Sequence, residues 1–455
     1  MKRTKLFLLV TAVFSILLCT ALNASALTEG DWEFELLDDE VKITGYLGTD
    51  SDIVIPDTIY GCPVTKVEAY SVSFDNATSI VYPKGLKVLE CNFKAGSSNK
   101  TLKYVVLPEG LEVIADYAFQ GCNALESVNI PSTVKKIGSS FKWCYNLKNI
   151  VFPAGLEIIE YEAFLSSGLE HVDLSHTSAK LEEEVFEGCE NLKTVKLPAN
   201  LKKLPDHTFS GCTSLVNVEI PSTVEWIGGF AFLNCTSLES IILPTSLKKI
   251  YEFGSFSNCD SLKEIVIPYG VTQIGGHAIE NCDSLKAVYL PDTVTSLGNL
   301  AITEGSPNAI IYCTKGSKAA EYCKKEEISY LTDNSVNTGI HVYYNGTRVS
   351  FHAYGQNPEL LQSRTLVPLR SIFEAMGAQV EWDAATSTAV AKRGKVEVKI
   401  QIGASEMQKN GAAVALDVPA QLLNDRTMVP VRVIAEAFGA DVSWNGNGRA
   451  VLINE

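Results

Sequence analysis

From Leu102 to Pro291 the chain repeats one phrase of about 23 residues, and few folds accept such a period. One clear copy carries Leu215, Val218, Ile220, Pro221, Val224, Ile227, Ala231 and Phe232, and closes at Cys235 before the phrase restarts. Val218 and Ile220 alternate as a strand does, and Pro221, which cannot donate to a ladder, ends that strand and turns the chain. Val224 and Ile227 form a second inward pair. Ala231 and Phe232 begin a short helical or irregular return. One such coil cannot bury its apolar groups alone, but stacked neighbours can.

The strand-ending prolines are Pro83, Pro108, Pro131, Pro153, Pro198, Pro221, Pro244, Pro268 and Pro291. Pro153 and Pro198 stand two coils apart. Between them Ser175 takes the proline place and Ser167 the cysteine place. A phenylalanine column (Phe119, Phe141, Phe164, Phe186, Phe209, Phe232, Phe256, then Ile279) predicts a stacked apolar spine. Cys122, Cys144, Cys189, Cys212, Cys235, Cys259 and Cys282 each follow that column by three residues, so they read as a packing position rather than as paired cysteines. Cys62, Cys91, Cys313 and Cys323 lie outside the column, and their pairing stays open.

These columns resemble the BspA-like leucine-rich repeat of bacterial surface antigens over residues 40–330, and the stretch Ile311 to Tyr322 resembles that family's closing coil and helix. The resemblance implies a mainly β solenoid of about ten coils that binds proteins or surfaces without catalysis. On the strand face one outward row is Val81, Val106, Asn129, Val151, Asp173, Lys196, Glu219, Ile242, Val266 and Tyr289. Six of the ten are apolar. As a binding surface the row is carried by Val81, Val106, Val151, Lys196, Ile242, Val266 and Tyr289. The plainer reading, β-propensity on an exposed sheet, weighs more, since scattered surface apolars need no explanation.

After residue 338 the phrase stops and a longer duplication begins. Arg364 to Trp382 returns as Arg426 to Trp444, each copy preceded by an Asn-Gly hairpin signal at Asn345-Gly346 and Asn410-Gly411. Pro368 and Pro430 stand where a helix starts, Gly377 and Gly439 where it stops, and Val380 with Trp382, like Val442 with Trp444, reads as a strand. The pattern resembles the copper amine oxidase N-terminal-like (stalk) domain of secreted Gram-positive proteins. That resemblance implies a small duplicated α+β domain; the quinone-forming segment and His-x-His pair of the oxidase chemistry are not in this sequence. Arg364, Arg370, Arg426 and Arg432 are the most suggestive polar set. They read either as an anion or glycan site formed twice or, with more weight, as structural ion pairs involving Glu374 and Glu436.

Residues 1–26 read as a signal peptide: Lys2, Arg3 and Lys5, an apolar core from Leu6 to Leu22, and Ala24-Ser25-Ala26 as the cleavage pattern. Cleavage would take the net charge from −15 to −18 (−15 minus 3). Such acidity argues against nucleic acid and anionic membranes as partners. The expected organisation is 1–26 signal peptide, 27–60 N-terminal cap, 61–331 solenoid, 332–338 linker and 339–455 duplicated domain, its halves about 339–395 and 396–455. No membrane span is expected in the mature chain. No metal or catalytic motif stands out; His171 and His176, five apart, do not share a helix face. The expectation is therefore a secreted, cell-surface or wall-associated protein without enzymatic activity or cofactor. Its solenoid face would recognise a protein, cell-wall or host-surface ligand in the manner of an adhesin. The alternative is a wall-associated spacer anchored through its C-terminal module.

Overall fold

The computed structural model describes residues 27–69, 74, 76–90, 99–302, 305–332, 336, 340–349, 351, 356–445 and 450–455. The expected signal peptide, Cys91 and most of the expected linker lie outside the described residues. The chain divides into two compact units: residues 1–198 with 207–213, and residues 199–206 with 214–455. Both carry the same coil, a β-solenoid of about 12 turns in all.

In the first unit, Asp52–Val54, Ser79–Val81, Tyr104–Val106 and Ser127–Asn129 pair in parallel, with Val54, Val81 and Val106 in register. Residues 52–54, expected in the cap, therefore already form a coil rung. Before them, Trp32–Leu37 and Glu40–Tyr46 make a hairpin whose Phe34, Val41 and Ile43 are buried, and Glu40–Tyr46 runs parallel to Cys62–Val67. A second ladder joins Val88–Leu89, Val113–Ile114, Lys136–Ile137, Ile158–Ile159 and Lys180–Leu181, burying the second residue of each.

The return segment is irregular, not helical, and forms a third ladder. Tyr117, Phe119 and Gly121 donate backbone N–H groups to Ser139, Ser140 and Lys142 of the next coil, and Glu162, Phe164 and Ser166 donate to Glu183, Val185 and Glu187. Its backbone groups are thus satisfied without a helix. Between the donors the rings stack: Phe119, Phe141, Phe164, Phe186 and Phe209 lie 5.3 to 5.9 Å apart, all fully buried. The cysteine column is buried and free of disulfides. Its thiols do more than fill space: Cys144, Cys189 and Cys212 donate to the carbonyls of Phe119, Phe164 and Phe186 at 3.1 to 3.2 Å. Where the proline is missing, Asp173 Oδ1 accepts from Ser175 N (3.0 Å) and Ser175 Oγ (2.6 Å), so a side-chain turn bends the chain there instead.

In the second unit one ladder runs through Lys203–Leu204, Trp226–Ile227, Lys249–Ile250, Gln273–Ile274 and Ser296–Leu297. Another joins Glu264–Val266, Ala287–Leu290, Ile310–Cys313 and Tyr330–Thr332. Helix α1 (Lys318–Lys325) is capped by Ser317, whose side chain accepts from Ala320 N, and buries Ala319, Ala320, Tyr322 and Cys323. Cys313 and Cys323 are buried and free.

The duplicated domain follows in the same unit. Arg364–Pro368 and Arg426–Pro430 pair antiparallel, with Val367 opposite Val429. These two valines are equivalent in the duplication, so its internal two-fold passes between them. Each strand runs directly into a helix, α2 (Leu369–Ala375) and α3 (Val431–Ala437), with Pro368 and Pro430 at the caps. Gly377 and Gly439 leave the helices at φ +75° and +93°, the left-handed conformation that glycine adopts without strain. Val367, Ile372, Phe373, Val429, Ile434 and Ala435 centre its core.

Candidate functional site

The outward strand row does not present one continuous surface. In the first unit it is open: Val106 is 53% exposed and Val151 79%, Lys196 is exposed and Val81 half-buried, and Tyr104 stands exposed on the neighbouring row. Tyr104 Oη donates to Glu126 at 3.1 Å, and Lys196 lies 3.2 Å from Asp173. Ser175 and Lys196 hold the Asp173 carboxyl down at about 2.

In the second unit the end of the row is covered. Val266 and Tyr289 are only 5% and 6% exposed, because they pack with Val336, Tyr343 and Ala450, and Ile242, Tyr312 and Leu452 border that cluster. Tyr343 and Ala450 belong to strands His341–Tyr344 and Ala450–Asn454 of the duplicated domain, which pair in parallel. This corrects the expectation of one open face: Ile242, Val266 and Tyr289 form an internal contact with that domain. Val336, placed in the expected linker, is buried in the same contact.

Polar groups set the register of that contact. Arg348 N donates to Glu264 Oε1 at 2.5 Å, and the Arg348 guanidinium lies 4.2 Å above the Tyr289 ring, which stacks on Tyr312 at 4.8 Å. Burial pushes the Glu264 carboxyl above its usual range, against the pull of Arg348, and pushes the Tyr289 hydroxyl up to about 12. The sequence reading missed Arg348 and Glu264, which sit 84 residues apart in chain order and carry no local motif.

The arginines of the duplicated domain come together in pairs, one from each half. A cavity of about 510 Å³ is lined by Arg370, Trp382 and Glu381 of the first half and by Leu422, Asp425 and Arg426 of the second. Its counterpart of about 400 Å³ is lined by Arg432, Trp444 and Ser443 of the second half, by Leu360, Ser363 and Arg364 of the first, and by Asp417. Trp382 is 45% exposed and Trp444 43%. Arg364 Nε donates to Asp417 Oδ2 at 2.6 Å, linking the halves. Arg370 and Glu374 sit on the same helix at 4.0 Å, a spacing that does not brace the helix to a strand.

Among the described residues no group of three or more metal-ligating side chains occurs, and no helix is long and apolar enough to cross a membrane. His171 Nδ1 shares a hydrogen bond with Thr194 Oγ1 and His176 Nε2 with the Phe152 carbonyl, both at 2.8 Å, so each ring has a partner within the solenoid.

Stacked coils with repeated parallel ladders, a phenylalanine spine and a cysteine column define a leucine-rich repeat β-solenoid. The BspA type leucine rich repeat region matches residues 65–193 and 179–306 in six copies, more than half of the chain, and the chain belongs to this family. Such proteins are typically non-catalytic binding proteins at the cell surface or secreted. Residues 343–453 match the copper amine oxidase N-terminal domain, which is itself non-catalytic. A leucine-rich repeat protein from Bacteroides ovatus shares the fold at TM-score 0.50 and 20% identity, over 71% of this chain and 82% of that one. A leucine rich cell surface protein from Faecalibacterium prausnitzii aligns at TM-score 0.39 and 24% identity, over 68% of this chain and 99% of that one. A protease inhibitor from Brevibacillus choshinensis is 31% identical over 94 residues; the chain spans 29% of the length of that relative, and the match covers 21% of this chain.

Proposed function

We propose that this is a secreted, adhesion-type binding protein whose recognition face is the open strand row of the first unit. The observation that carries this reading is the contrast along the row. Val106 and Val151 face solvent, whereas Val266 and Tyr289 are covered by the chain's own C-terminal domain. An exposed β-branched row beside Tyr104 and Lys196 offers a partner apolar area with a polar rim, the usual anatomy of a protein-binding patch. The partner is a protein or a cell-wall or host surface.

The test is retention of the full chain on intact cells of the producing bacterium and on a host extracellular-matrix extract. Val106→Asp with Val151→Asp should abolish retention on whichever surface binds while leaving the melting temperature unchanged, since both side chains are already in water. Undiminished retention of a folded double variant would refute the assignment.

A further inference from the structure

The duplicated domain carries two equivalent hollows that nothing in its core requires. We propose that they are saccharide subsites, each taking an uncharged pyranose unit of a glycan. This goes beyond the solenoid face and rests on different residues.

The lining is equivalent side by side. Arg370 and Arg432, Trp382 and Trp444, Leu360 and Leu422, and Arg364 and Arg426 occupy matching positions of the duplication, and each hollow takes its tryptophan from one half and its second arginine from the other. Neither tryptophan belongs to the domain's core cluster. A fold that needed only packing would bury an indole, since burial of so large an apolar surface is strongly favourable. Here two indoles stand nearly half exposed at equivalent places, each in a hollow rimmed by polar groups. Hollows of 510 and 400 Å³ fall within the range of small-ligand sites, on the order of 300–1,000 Å³.

The chemistry of the lining selects the ligand class. An indole face offers a flat apolar platform that suits the C–H face of a sugar ring. Each sugar hydroxyl both donates and accepts. It is matched by donor-only guanidinium groups beside acceptor-only carboxylates. The first hollow supplies Arg370 and Arg426 with Glu381 and Asp425, and the second supplies Arg364 and Arg432 with Asp417. In the first hollow Glu381 and Asp425 balance the two arginines, and in the second Asp417 is already paired with Arg364 at 2.6 Å, which leaves Arg432 as the further donor. Two subsites on one rigid domain would let a repeating polysaccharide engage both, raising avidity without new contacts.

The test is isothermal titration of the full chain with chitotetraose, cellotetraose and polygalacturonate. The expected result is binding of one or both neutral sugars and not of polygalacturonate. Chitotetraose alone would point to acetamido-sugar polymers, and cellotetraose alone to plain glucans. Trp382→Ala with Trp444→Ala should weaken binding at least about tenfold, and either single change should halve the number of sites. Should the tryptophan variants lose their native circular dichroism, Arg370→Gln with Arg432→Gln gives the same reading on the same subsites. The proposal is overturned if neither neutral sugar binds, if only polygalacturonate binds, or if a folded double variant binds as the parent does.

Discussion

The guanidinium of Arg348 lies 4.2 Å above the ring of Tyr289. Arg348 belongs to the duplicated domain and Tyr289 to a solenoid strand, so this pair marks where the strand row stops being available to a partner. Arg348 is buried, and its Nε and Nη1 find no hydrogen-bond partner among the described residues. A desolvated cation over an aromatic ring gains about 2 kcal/mol, and leaving buried donors unpaired costs about 1–3 kcal/mol. The two nearly cancel. Arg348→Met, which keeps the apolar stem, should therefore change unfolding free energy by less than about 1 kcal/mol, whereas Tyr289→Ala, which empties the contact, should cost about 3–5 kcal/mol. Chemical denaturation of both variants checks the ranking; a larger loss from Arg348→Met would mean that the cation holds the contact.

Glu264 makes the same contact sensitive to pH. Its folded carboxyl titrates above the ordinary 4.5 because burial outweighs the Arg348 N–H and guanidinium. As pH rises past 4.5 the unfolded chain releases a proton that the folded chain keeps, so stability falls until the raised folded value is passed. Glu264→Gln keeps the acceptor for Arg348 N and removes the titration. Variant and parent should match most closely at pH 4, with the variant gaining at pH 7. Urea unfolding at the two values reads this, and a gain that grew toward acid would contradict it.

Asn99 braces the start of the regular coils. It is fully buried; its Nδ2 donates to the Phe74 and Ala77 carbonyls at 2.6 and 2.9 Å, and its Oδ1 accepts from Thr101 N and Leu102 N at 2.7 Å. Asn99→Ala would strand several backbone groups at once and should cost about 2–4 kcal/mol, against under about 1 kcal/mol for Thr101→Ala at its exposed edge. Thermal unfolding of the pair decides it.

Cys144 and Cys189 of the thiol column should be chemically silent in the native protein. Burial pushes the Cys144 thiol well up and Cys189 to about 11, so neither forms the reactive thiolate near neutral pH. Dithionitrobenzoate at pH 8 should label the partly exposed Cys62 promptly, and Cys144 and Cys189 only on unfolding. Fast labelling of Cys144 or Cys189 in the folded chain would overturn the packing assignment.

How far the sequence carried depends on the range of the interaction. The phenylalanine and cysteine columns, the two strand pairs per coil and the internal duplication are periodic, so they could be read one coil at a time. The return segment could not. Tyr117 and Glu162 hold φ of +62° and +54°, a conformation their residue types do not announce, and both donate their N–H groups to the next coil in the return ladder. The Cys144 hydrogen bond to Phe119 is likewise visible only once coils stack. The largest departure lies at Val266 and Tyr289. Their pattern matched Val106 and Val151, and nothing local marks that a domain more than fifty residues further on covers one pair and not the other. In the duplicated domain, Trp382 and Trp444 were legible as strand residues; their place beside arginines of the opposite half depends on the Val367–Val429 pairing.

The most direct measurement is hydroxyl-radical footprinting of the full chain, free and bound to the surface that retains it, read at Tyr104, Val106, Tyr289 and Tyr343. The prediction is that Tyr104 and Val106 are labelled in the free protein and protected on binding, while Tyr289 and Tyr343 stay unlabelled in both. Unchanged labelling of Tyr104 and Val106 in the bound protein, or labelling of Tyr289 as ready as that of Tyr104 in the free one, would contradict the assignment of the open row as the recognition face.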